Sequence, residues 1–133
     1  MSKRERARVR AAIAHAEATT GLQFCVFLGA LDDGEPRAHA ESLFRDGAMH
    51  ELPAVLIVVA PAQRRIEIVT SEDARGRISD AEAAIAIAEM TGAFVARHLG
   101  RGLVAGIDHL ARAAGPAPAE ATLAATGPGI VDE

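Results

Sequence analysis

The chain has 133 residues, half of them hydrophobic, a net charge of −4, one cysteine, and neither tryptophan nor tyrosine. These figures suit one compact domain with an aliphatic core, built without cross-links. They exclude an intramolecular disulfide, a cysteine-rich zinc module and recognition of bases by aromatic stacking, and the negative charge argues against a general nucleic-acid partner.

Ser2 is placed to cap a helix running to about Thr19, with Val9, Ala12, Ile13 and Ala16 as its apolar stripe. Gly21 ends that helix, and LQFCVFLG (22–29) follows as a strand apolar on both faces, hence covered on both. After the loop LDDGEP (31–36), Pro36 opens a helix that continues to about His50. AVLIVVA (54–60) predicts the most buried strand; PAQR (61–64) turns the chain, and RIEIVT (65–70) alternates as an antiparallel edge strand. A long helix starts near Ser79, with Glu82 as its capping-box partner and Ala84, Ile87, Met90 or Thr91, Phe94 and Val95 facing inward. Gly100 breaks it, and a last helix spans about Arg101 to Ala114 with Leu103, Val104, Ile107 and Leu110 as its core face. The fold class expected is α/β: a small mixed sheet with helices on both faces, in the order helix-strand-helix-strand-strand-helix-helix. Residues 1–115 form one domain, and residues 116–133, rich in Pro, Gly and Ala, a flexible tail without a regular element. No leader segment is evident and the longest apolar run is too short to span a bilayer, so the expectation is a soluble cytoplasmic protein.

The stretch SEDARGRISDAE (71–82) invites comparison with a twelve-residue calcium loop, with Gly76, Ile78 and Glu82 at the turn, anchor and bidentate positions. Position one is Ser71, position five is Arg75, and a strand precedes it, so strand-to-helix turn chemistry is the preferred reading. Asp32, Asp33, Asp73 and Asp80 are the metal candidates, for calcium or magnesium, although strand directions put Asp32 and Asp33 at the opposite end of the sheet from Asp73. No cofactor is expected and no catalytic residue is assigned. The five histidines (15, 39, 50, 98, 109) lack ligand spacing, and Cys25, mid-strand among apolar neighbours, acts as a small hydrophobe. The first ten residues carry +4 and the remainder −8. The basic start is set for contact with anionic lipid or RNA, but a solvated helix face is preferred.

The phrases AIAHAEATTGLQFCVFLG, PAVLIVVAPAQRRIEIVT, ISDAEAA and GLVAGIDHLARAAG, in that order over residues 10–114, resemble the TPM-domain family, most closely its actinobacterial branch, a domain of unknown function. The resemblance implies a small α/β sandwich. It also implies two activities credited to relatives: acid phosphatase action, and calcium binding through acidic loops, with Asp80 matching the acidic residue of the family's I-S-D. Where the family has Gly-x-Gly after its third strand, this chain has Thr70-Ser71-Glu72. The expected function is a non-catalytic binding or protein-interaction module, through a protein partner or self-association; the alternative is a weak divalent-metal-dependent acid phosphatase.

Overall fold

The computed structural model describes residues 1–117 and 128–132. Helix α1 covers Lys3–Thr20, capped by a full box in which the Ser2 hydroxyl accepts from the Glu5 amide and the Glu5 carboxylate from the Ser2 amide. Its buried stripe is the expected one, Val9, Ala12, Ile13 and Ala16, joined by Glu17 and Thr20. Gly21, at φ 75°, takes the left-handed C-terminal cap that favours glycine.

Strands β1 (Gln23–Leu28), β2 (Ala54–Ala60) and β3 (Arg65–Thr70) fall where the hydrophobic pattern puts them. β2 pairs in parallel with β1 and antiparallel with β3. Every residue of β2 is buried. Ile57 and Val58 point to opposite faces. Ile57 joins Val26 and Ile68 against α1 and the last two long helices, while Val58 joins Cys25 and Val69 against α2 (Pro36–Asp46). Fully burying a side chain of this size contributes about 1.5–3 kcal/mol, so the uniformly apolar β2 is the main anchor of the sheet.

Four boundaries differ from the pattern. α2 ends at Asp46, because Ala48 turns left-handed at φ 57° and a separate short turn, Met49–Glu51, buries Met49 against β2. A single helical turn, α3 (Glu72–Arg75), follows β3, capped by the buried hydroxyl of Ser71. α4 spans Asp80–Val95 and α5 spans Leu99–Ala114, so Gly100 lies inside α5 and the break falls at Ala96–His98, where Arg97 adopts φ 63°. Finally, Ile130–Asp132 forms β4, parallel to β1, giving the order β3-β2-β1-β4. Three residues carry no readable alternation, yet β1 would otherwise expose an unpaired edge. Residues 116–133, expected to be a flexible tail without a regular element, therefore contain a strand; residues 118–127 and 133 of that tail lie outside the described ones.

α5 packs between α1 and α4. Its glycines permit the approach: a Cβ on Gly102 would occupy the space of the Ala93 Cβ, and one on Gly106 would come within 2.7 Å of the Met90 side chain. Arg77 ties the helix ends together. Its guanidinium donates to the carbonyls of Thr20 (2.7 Å), Gly115 (2.9 Å), Pro116 (3.1 Å) and Ala114 (3.3 Å), a cation set on the carbonyl ends of α1 and α5.

Candidate functional site

The strand register divides the acidic candidates. β1 and β2 end together, beside the start of β3, and the loop carrying Asp32 and Asp33 leaves from that end. Oδ1 of Asp32 accepts the amide protons of Gly34 (2.9 Å) and Glu35 (3.0 Å), a turn built by the side chain itself. Asp33 bonds the Gln63 amide, which also holds both backbone groups of Leu31. The Asp32 amide donates to Nδ1 of His39 at 2.9 Å. Asp73 and Asp80 lie beyond Thr70, which pairs with Val55 near the other end of the sheet, and each sits in the first turn of a helix. Among the described residues, no group of three His, Cys, Asp or Glu stands close enough to hold a metal ion. These carboxylates do not fit a shared calcium or magnesium site.

The calcium-loop stretch is occupied by structural work. The Ser71 hydroxyl accepts from the amides of Ala54 (2.9 Å) and Ala74 (3.4 Å); Ile78 is buried, and Ser79 caps α4 by accepting from the Glu82 amide. Gly76, at φ −68°, uses no glycine-specific conformation. The Glu82 carboxylate, expected to complete a capping box, reaches across to α5 instead. It meets Nε2 of His109 at 2.6 Å, and Glu89 meets Nδ1 at 3.3 Å. Both ring nitrogens thus face carboxylates.

That clamp has a consequence for the other side of α4. Glu82 and Glu89 are the only charged residues between positions 81 and 95, and both turn toward His109. The outer face is left with Ala81, Ala84, Ile85, Ala88, Gly92 and Val95, all exposed. Ile85 is 46% exposed and Val95 78%, the two large hydrophobic side chains left in water among the described residues. The expected Ile87, Met90 and Phe94 face the core, joined by Ala83 and Ala86, whereas Ala84 and Val95, also expected there, do not. Sequence reasoning missed this surface. The available signal was that α4 is apolar nearly all round, more than one buried stripe requires. Beyond its C-terminal turn lies a cavity of about 310 Å³, lined by Pro61, Arg64, Thr91, Phe94, Val95 and Arg97.

Two buried titratable groups serve the sheet. The Cys25 thiol is pushed up to about 11, by burial first and the nearby Glu17 charge second, which keeps it protonated and unreactive at neutral pH. Glu17, 4% exposed, accepts the Phe24 amide proton at 3.1 Å, standing in for a strand at the edge of β1 just before β4 begins. Burial raises its carboxyl above the ordinary range, against that hydrogen bond. In the basic start, Arg6 grips Asp132 of β4 with two bonds, at 2.7 and 3.1 Å. No helix is long and apolar enough to cross a membrane among the described residues.

A family model described as the TPM domain matches residues 1–113. The fold is similar to the NMR structure of the BA42 protein from the psychrophilic bacterium Bizionia argentinensis, with a TM-score of 0.87 at 20% identity, covering 100% of this chain and 95% of that one. It is also similar to the N-terminal domain of a P. gingivalis protein (TM-score 0.73, 17% identity, 85% of this chain and 75% of that one). A third is the N-terminal domain of the cg2496 protein from Corynebacterium glutamicum (TM-score 0.67, 15% identity, 100% and 81%). At these identities the likeness concerns the fold. No curated protein matches the chain.

Proposed function

The chain belongs to the TPM domain family, and on that premise we propose that it is a non-catalytic protein-interaction module that docks its partner through the outer face of α4. The observation that carries this reading is the exposure of Ile85 and Val95 on a helix whose acidic side chains are both drawn away to His109. An apolar helix face of four turns is a familiar form of protein docking surface. The proposal includes no metal or other cofactor, no nucleic acid and no lipid surface. It places the domain in the cytoplasm, to be tested by cell fractionation. It also assigns the domain to the family's actinobacterial branch on the phrases quoted from residues 10–114. The test is a photo-cross-linking residue at position 88, in the organism's own cells, with position 45 on the exposed side of α2 as the control. Cross-links to a polypeptide from 88 and none from 45 are expected; equal labelling from both refutes the reading.

One observation favours a second reading, a divalent-metal-dependent acid phosphatase. Asp32, Glu35, His39 and Ser42 line a crevice of about 600 Å³ beyond the C-terminal ends of the parallel strands, where α/β sheets commonly bind ligands. Hydrolysis of a phosphomonoester, with and without magnesium or calcium, should stay at background. Turnover that disappears in Asp32→Asn would replace the first reading with the second.

A further inference from the structure

We propose that the occupant of the α4 face is a second copy of this chain, packed with its own α4 antiparallel about a two-fold axis at Ala88; the inference rests on the reading of α4 as a docking face. The charges along the helix choose the partner. Asp80 stands at its N-terminal end, and Arg64 and Arg97 flank Val95 at the other, all three exposed. The strip between them is uncharged. A surface acidic at one end and basic at the other is complementary to itself when reversed, and an isologous contact makes each attraction twice. A parallel pair would set like charges together.

Spacing agrees with that arrangement. Ala84 and Gly92 lie equally far on either side of Ala88, as do Ala81 and Val95. Reversal therefore sets each small side chain against a small one and the large Val95 against Ala81. The cavity beside Val95, about 310 Å³, opens where the Ala81 turn of the second copy arrives, and its Arg64 and Arg97 walls meet the incoming Asp80. Among the described residues no close approach requires glycine at position 92: a Cβ built there meets nothing within 4 Å, and glycine is less favourable than alanine in a helix interior. Close approach of a second backbone accounts for it. An interface of one helix and two arginines falls below the about 1,200 Å² of a standard complex, so the dimer is weak and reversible.

The test is sedimentation equilibrium of the full chain from low-micromolar to near-millimolar concentration. The wild type is expected to show a reversible monomer–dimer transition. Ala88→Glu, which sets two carboxylates together at the axis, should weaken association by at least about tenfold. Arg97→Asp should weaken it too, and adding Asp80→Arg should restore it. These positions are solvent-exposed, and an unchanged melt at low concentration confirms that each variant folds. A monomer at every concentration overturns the proposal, as does a dimer indifferent to Ala88→Glu. A monomer whose position-88 cross-link captures a different polypeptide overturns the second copy and leaves the docking face standing; a monomer with no such cross-link overturns both.

Discussion

Glycine-to-alanine substitutions on the two facing helices α4 and α5 should act with opposite sign. Placing alanine at an exposed helix-interior glycine gains about 1 kcal/mol of intrinsic helix stability. At Gly92 nothing lies within 4 Å of the new methyl, so Gly92→Ala should realise most of that gain. At Gly102 the methyl falls on the Cβ of Ala93, an atom fixed to the backbone of α4, and relief requires the helices to separate. Overpacking of this kind costs about 1–3 kcal/mol, and more where nothing flexible yields, so a net loss of about 1–2 kcal/mol remains after the propensity gain. Gly106→Ala should fall between, because its neighbour is the Met90 side chain, which has rotamers to spare. Thermal melts followed by far-UV circular dichroism, at concentrations where the chain is monomeric, read the result. In a domain of this size each kcal/mol moves the midpoint by about 3–5 °C. Adding Ala93→Gly to Gly102→Ala should recover part of the loss. A Gly102→Ala protein as stable as the wild type, or a Gly92→Ala protein less stable, would refute this account of the α4–α5 packing.

Glu17→Gln should flatten the pH dependence of stability. The folded carboxyl titrates above its unfolded value because it is buried, so its contribution is fully present below the unfolded pKa and is lost as pH rises through the folded one. The variant should thus melt higher than the wild type at neutral pH, with the difference closing in acid; a variant that melts lower at neutral pH contradicts the assignment. Arg77→Ala should cost about 2–3 kcal/mol in urea unfolding, since four carbonyls share one guanidinium, and Arg77→Lys should recover less than half of it; full recovery by lysine would mean the fork geometry is irrelevant. Truncation after Ala117 removes three strand pairings and the Arg6–Asp132 contact and should cost about 1–3 kcal/mol. It should also accelerate hydrogen exchange at the Val26 amide, which donates to the Gly129 carbonyl at 2.7 Å; an unchanged exchange rate would count against β4.

What was legible in the sequence was what periodicity and punctuation encode. β2 and β3 match their forecast limits, and the α1 stripe matches residue for residue, because long apolar patterns bounded by Ser2, Gly21 and Pro53 leave few alternatives. Along part of α4 the hydrophobic pattern points one position away from the buried face. A helix with Ala, Ile, Met, Phe and Val on every side does not declare which face is inside, and the choice is made by the α5 glycines, whose close neighbours Ala93 and Met90 lie on another helix. Glu82 illustrates the same limit: the capping box is a local motif, and His109 outcompeted it from another helix. β4 was too short to carry a pattern. At the acidic loops, strand directions separated Asp32 and Asp33 from Asp73, whereas the hydrogen bonds that occupy the Asp32 and Asp33 side chains became visible only with the loop's coordinates.

The pairing of β4 with β1 also orders events in time. β1 can meet β2 once some thirty further residues have been made, but its other neighbour, which begins at Ile130 beside Val26, leaves the ribosome about a hundred residues later. Through that interval a strand apolar on both faces waits with one side open, where it is able to recruit a strand from another nascent chain. Glu17 is already synthesised by then, and its carboxylate engages the Phe24 amide, so a charged group occupies the open edge while the chain grows. Arg6 likewise waits on α1 for Asp132, 126 residues downstream. The first helix thus supplies both side-chain contacts along that edge, Glu17 at the Phe24 amide and Arg6 at Asp132 of the strand that closes it.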